Sequence, residues 1–102
     1  MFTHFKDPKD GVERKNRVYR LRNYKDCFQG SDAVDWFISK MKLNSREEGI
    51  VIGELFMNLG LISHVLNCEP FSDSKTCYCR FKSVFFFFII TSFIIIIAIF
   101  NN

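Results

Sequence analysis

Residues 84–100 read VFFFFIITSFIIIIAIF: seventeen positions without a charge, thirteen of them Phe or Ile. A chain carrying this run will insert in a membrane or aggregate. The run therefore divides the chain, expected as a body over residues 1–82 and a hydrophobic, helical tail over residues 83–102. The body keeps about eighty residues, enough for one small core with little stability margin. As a helix, the run spans roughly 25 Å, the short limit for a bilayer core. Arg80 and Lys82 precede it and only Asn101-Asn102 follow. The positive-inside rule would place the body on the cytoplasmic face of a membrane, held by a C-terminal tail anchor. Composition supports a competing expectation. The tail has no Leu and is built from Phe and Ile runs, which a translated A- and T-rich noncoding stretch would also encode.

Charge is unevenly spread. Residues 1–25 hold eight Lys or Arg against three Asp or Glu, whereas residues 26–102 hold six against eight. The densest stretch contains Arg14, Lys15, Arg17, Arg20, Arg22 and Lys25 with no acid among them. Such asymmetry points to an anionic partner, either lipid headgroups or nucleic acid, while a solvated charged surface is the plainer reading.

The N-terminus, MFTHFKDPKDG, has no apolar h-region, so a secretory signal is not expected and a cytoplasmic, reducing setting is. Cys27, Cys68, Cys77 and Cys79 then read as small core or strand residues rather than disulfides. Cys77 and Cys79 would share one side of a strand. Their C-x-C spacing is shorter than the usual knuckle, and only His4 and His64 could add imidazole, so neither a metal nor another cofactor is expected.

Turn signals at Asp7-Pro8 and Asp10-Gly11 precede a stretch from Val12 to Tyr24 in which Val18, Arg20 and Arg22 alternate with Tyr19, Leu21 and Asn23. This predicts a short hairpin that projects as a basic arm. Ser31 reads as the N-cap of a helix with Asp32 and Asp35 in its first turn, and Val34, Phe37, Ile38 and Met41 as its apolar stripe. Trp36, at the edge of that stripe, is expected to pack under the arm. Ser45-Arg46-Glu47-Glu48 forms a capping box before a second helix, apolar enough to be buried on most sides. Gly53 within it is expected to permit a close helix approach, and Gly60 to end it. Leu61–Val65 and Thr76–Phe81 read as a strand pair, with His64 as a satisfied structural histidine.

Catalytic patterns are missing. The chain has no phosphate-binding glycine loop, no H-E-x-x-H, no G-x-S-x-G, and no Cys beside a plausible His partner. Its carboxylates sit at helix starts, where capping explains them, so an enzyme is not expected.

In order, the residues GVERKNRVYRLRNYKDCFQGSDAVDWF, then SREEGIVIGELFMNLGLISHV, then FSD and CRF, resemble a DEP domain, the module of Dishevelled, Pleckstrin and many regulators of G-protein signalling. The resemblance runs from about Asp7 to Phe81. It implies an α+β fold: three helices in a small bundle, a β-hairpin arm between the first and second, and a short C-terminal β-pair, winged-helix-like in shape. It also implies a non-enzymatic module of intracellular signal transduction that brings proteins to membranes, through anionic phospholipid or the cytosolic part of a receptor, with other signalling proteins as partners in some relatives. The family's first helix would precede Asp7, where only six residues stand, so that helix is expected to be truncated. Gly49 stands where a small helix former is expected, and Cys79 where the family usually has an aromatic. The candidate contact residues for lipid or partner are Arg14, Lys15, Arg17, Arg20, Arg22 and Lys25. Two alternatives remain. One is a winged-helix-like nucleic-acid-binding domain, disfavoured because the helix that would enter a groove begins Arg46-Glu47-Glu48. The other is a fragment of a larger signalling protein with no function of its own.

Overall fold

A computed structural model of the chain describes residues 2–67, 69–82 and 94–101. The elements run α1 (Phe2–Lys6), β1 (Lys15–Tyr19), β2 (Arg22–Gln29), α2 (Gly30–Met41), α3 (Arg46–Asn58), β3 (Ile62–His64) and β4 (Tyr78–Phe81). The strands form one sheet in the order β1-β2-β4-β3, antiparallel throughout. Hairpin and C-terminal pair, expected as separate pieces, are joined. The outer part of β2 pairs with β1, while Phe28 and Gln29 at its inner end pair with Cys79 and Tyr78 of β4.

The α1 helix is only five residues long, too short to be stable on its own. It is held by its rings. Phe5 is fully buried and its centroid lies 4.8 to 5.8 Å from those of Phe28, Trp36, Phe37, Phe56 and Phe81. Phe2 packs edge-on against Phe56 and Phe81. These two aromatic side chains thus tie α1 to β2, α2, α3 and β4. The turn that follows is closed by Asp7, whose carboxylate accepts the N–H groups of Lys9 and Asp10 at 2.8 and 3.1 Å. These bonds, with Asp10 first, hold the Asp7 carboxyl below its ordinary range. Trp36 packs under this turn rather than under the arm, and its indole N–H donates to the Asp10 carbonyl at 2.9 Å.

The α2 helix starts two residues earlier than expected. Gln29 occupies the cap position and Ser31 lies inside the first turn. No side-chain cap is needed, because the Gly30 and Ser31 N–H groups donate to the carbonyls of Cys77 (2.7 Å) and Ser74 (3.1 Å) in the loop before β4. The apolar stripe is as expected: Val34 and Phe37 are buried, and Ile38 and Met41 pack against the core.

At the start of α3 the capping box forms. Ser45 Oγ accepts from the Glu48 N–H at 3.4 Å, while the Glu48 carboxylate reaches back to the Asn44 N–H at 3.2 Å. The close helix approach expected at Gly53 falls at Gly49 instead. Gly49 marks the helix–helix approach, since a Cβ there would lie 2.8 Å from Val34 Cγ1 of α2. Gly53 instead makes room for the ring of Phe71, which folds down from the β3–β4 loop. Contrary to expectation α3 is not buried on most sides; only Gly49, Gly53 and Phe56 are buried. Ile50, Ile52 and Met57 are half-buried and pack against the core, while Val51, Glu54, Leu55 and Asn58 face water. The chain turns away at Gly60, whose φ of 75° suits glycine.

Of the expected pair, β3 is shorter at both ends and β4 only at its start, Ile62–His64 against Tyr78–Phe81. Thr76 is diverted into a turn with Ser74, whose hydroxyl accepts the Thr76 N–H. His64 is buried and satisfied: Nδ1 accepts from the Leu66 N–H at 3.1 Å and Nε2 lies 3.6 Å from Glu69.

Arg46 fastens the loop to both helices. Its guanidinium binds both oxygens of Asp73 (2.6 and 2.9 Å) and Asp35 at 2.8 Å. The Arg46 hydrogen bonds hold the Asp73 carboxyl below its ordinary 3.8. A carboxylate lowered on folding stabilises the fold above its unfolded value, and that contribution disappears as pH falls through the folded value. Acid unfolding should therefore gain an extra loss of stability below about pH 4. In Arg46→Met, urea titrations across that range should show a shallower pH dependence; an unchanged slope would assign the acid loss to other groups.

Of the expected tail, residues 83–93 lie outside the described residues. Residues 94–100 are helical with exposed side chains. Among the described residues no helix is long and apolar enough to cross a membrane.

Candidate functional site

The arm is a two-residue hairpin. Tyr19 faces Arg22, and Arg20 and Leu21 between them take φ of 53° and 65°. This is the conformation that matches strand twist but ordinarily calls for Asn-Gly. Holding two side-chain-bearing residues there costs energy, a pattern found at binding loops. An extra residue in β2 opposite Asn16 bends the arm. Asp26 sits there at φ 55°, its N–H donating to Asn16 Oδ1 at 3.1 Å.

The six basic candidates do not form one patch. Arg14 is turned inward: its guanidinium lies 5.1 Å from the Phe81 ring centre, donates to the Lys6 carbonyl at 3.1 Å, and its side chain is 16% exposed. Arg17 donates to the Cys27 carbonyl at 3.3 Å and lies 5.6 Å from the Tyr78 ring centre. Both brace the root of the arm against β4. The other four face outward. Lys15 pairs with Glu13 at 3.1 Å, and Arg20 reaches Glu69 at 3.5 Å while lying over Tyr19. Arg22 and Lys25 are exposed and have no acidic partner among the described residues.

Two apolar residues complete this surface and were not among the sequence candidates. Leu21 at the tip is 100% exposed and Val18 is 67% exposed. Strand alternation groups Leu21 with Tyr19 and Asn23 as a strand residue. The signal that corrects it is the spacing of the hairpin, which makes Leu21 a turn residue.

The face of α3 that a winged helix would present to a groove carries exposed Glu47, Glu48 and Glu54, which repel phosphate. Among the thiols, Cys77 and Cys79 share one side as expected, with sulfurs 3.7 Å apart and both buried. The Cys79 thiol, by donating, lowers Cys77 to about 6, and the same contact together with burial pushes Cys79 up. Burial also pushes the Cys27 thiol up. Among the described residues no group of three His, Cys, Asp or Glu is placed to hold a metal ion. Cys68 lies outside the described residues.

A family model, the domain found in Dishevelled, Egl-10 and Pleckstrin, matches residues 11–81. The chain belongs to the DEP family. Among similar proteins, the phosphatidylinositol 3,4,5-trisphosphate-dependent Rac exchanger 1 protein of Mus musculus is 37% identical over 69 residues, covering 68% of this chain and 4% of the exchanger. The vacuolar membrane-associated protein IML1 of Saccharomyces cerevisiae is 34% identical over 70 residues, covering 68% of this chain and 4% of that protein. Pleckstrin of Rattus norvegicus is 27% identical over 73 residues, or 72% of this chain and 19% of pleckstrin. The chain thus spans a small part of each relative's length. The fold matches the solution structure of the DEP domain of mouse pleckstrin, with a TM-score of 0.69 at 23% identity, covering 80% of this chain and 84% of that one. The DEP domain of human pleckstrin gives 0.72 at 22% identity, with 81% and 73% covered. By their names, one of these relatives depends on phosphatidylinositol 3,4,5-trisphosphate and another is associated with the vacuolar membrane.

Proposed function

We propose that this DEP domain recruits the protein that carries it to anionic membrane surfaces on the cytoplasmic side, and that it does so through the hairpin arm without catalysing a reaction. The observation that carries this reading is the outward set Lys15, Arg20, Arg22 and Lys25 around a fully exposed Leu21. Basic groups near an anionic leaflet contribute up to about 1 kcal/mol each, less in salt. A leucine at the tip can enter the headgroup boundary while the arginines stay with phosphate. Arg14 and Arg17 act differently, holding the arm at its angle, and need not touch lipid. The names of the relatives, one phosphoinositide-dependent and one membrane-associated, support the same direction.

The test compares binding of the whole chain to phosphatidylcholine vesicles with and without phosphatidylserine. The apolar segment 84–100 contributes to both, so the excess on phosphatidylserine isolates the arm. Replacing Arg20, Arg22 and Lys25 with Glu should lower that excess roughly 10- to 100-fold at low salt. An excess that persists in the variant would remove the arm from the contact, leaving a receptor's cytosolic segment or another signalling protein as its partner.

A further inference from the structure

The outer face of α3 is apolar where water should meet polar groups. Val51, Leu55 and Leu59 are 60%, 48% and 44% exposed. Spaced four residues apart, they line up along one side of the helix, a stripe of about 12 Å. Glu47, Glu48 and Glu54 rim this stripe and are exposed, and among the described residues none forms an ion pair. The surface is therefore an apolar centre with an acidic edge. It fits a partner with an apolar centre and a basic edge.

The same chain presents that complement at the arm. Leu21 and Val18 project from the hairpin, with Arg20, Arg22 and Lys25 exposed beside them. Leu21 is fully exposed in its own copy. We propose that the hairpin tip of a second copy docks on α3, with Leu21 and Val18 against Val51, Leu55 and Leu59, and the arm's basic groups toward Glu47 and Glu54. The two patches differ, so the contact is head-to-tail, and each pair keeps one free arm and one free α3 face. A tip on a short stripe buries less than a stable dimer needs, so association is weak and favours crowded copies. Anionic lipid, where the arm takes it, competes with α3 for the same basic groups. The proposal itself stands whether or not lipid binds.

Sedimentation of the whole chain in a non-ionic detergent tests it. The wild type should associate with rising concentration, less so with added salt. Charge reversal on either side, R20E/R22E on the arm or E47K/E54K on α3, should weaken association about tenfold or more. All four positions are exposed, so neither variant disturbs the core. Mixing the two variants should restore association, because each supplies the patch that complements the other's change. Carbodiimide crosslinking of isotopically distinct copies should join Lys25 to Glu47 or Glu54. Three results would overturn the proposal: a monomeric wild type; association that both variants keep, which the apolar segment would explain; or association lost only on α3, which would pair α3 with α3. The E47K/E54K protein retains the arm, so its excess on phosphatidylserine vesicles tests the lipid reading separately.

Discussion

Replacing Phe5 by Ala should cost about 3–5 kcal/mol, the usual range for emptying a buried aromatic site. A body of this size holds roughly 0.05–0.15 kcal/mol per residue, so the variant loses from about a quarter to all of its stability. The effect is large because one side chain joins separate parts of the fold. Phe5 is fully buried and meets rings from β2, α2, α3 and β4. Neighbouring elements cannot close the gap without breaking the sheet or the α2–α3 contact. The five residues of α1 depend on tertiary contacts, of which Phe5 makes the most buried, since the helix cannot persist alone. Urea unfolding followed by Trp36 fluorescence reads this directly, because the Trp36 ring lies 5.1 Å from that of Phe5. Thr3→Ala, exposed on the same helix, serves as the control and should change stability little. A loss below about 1 kcal/mol in Phe5→Ala, small beside the usual cost of such a site, would mean that α1 is not part of the cooperative core.

Gly30→Ala is the second large effect, and here two physical arguments predict opposite signs. Helix propensity favours alanine over glycine by about 1 kcal/mol. The tertiary contact opposes it. The Cβ of an alanine would fall onto the carbonyl oxygen of Ser72, with Cys77 Cβ and Sγ both 3.2 Å away. A backbone carbonyl cannot rotate aside as a side chain can. The loop would have to retreat, and with it the hydrogen bonds from Gly30 and Ser31 to Cys77 and Ser74. Overpacking of this kind costs about 1–3 kcal/mol and wins. Hydrogen exchange at the Gly30 and Ser31 amides should accelerate along with the fall in stability. A stabilised variant would show that the loop yields easily and that propensity governs the position.

The parts of this fold that were readable in the chain are those set by neighbours in sequence. The Ser45 box closes on Glu48 because both groups lie within one turn. The stripe through Val34, Phe37, Ile38 and Met41 faces inward because helical spacing leaves it no other side. The hairpin was readable from alternation, although its turn was not, because Arg20-Leu21 lacks the residues that normally mark one. The glycines show the limit. Gly49 and Gly53 are identical in local terms, and only the positions of Val34 and Phe71 tell their roles apart. The start of α2 lies two residues before the one local signals indicate for the same reason: a loop more than forty residues later does the capping.

The candidate surface divides along the same line. Charge density between Arg14 and Lys25 is a property of the sequence, and it alone determined that the first part of the body is basic and arm-like. The sequence likewise determined the order of elements and the DEP motifs, because cap, stripe and turn signals act over a few residues. Only the tertiary structure decided that Arg14 and Arg17 are braces while Arg20, Arg22 and Lys25 face water, since Phe81, Tyr78 and the Cys27 carbonyl arrive from other strands. It also decided that α1 supplies the third wall of the core through Phe2 and Phe5. Burial depends on what the rest of the chain brings alongside, and no local pattern contains that.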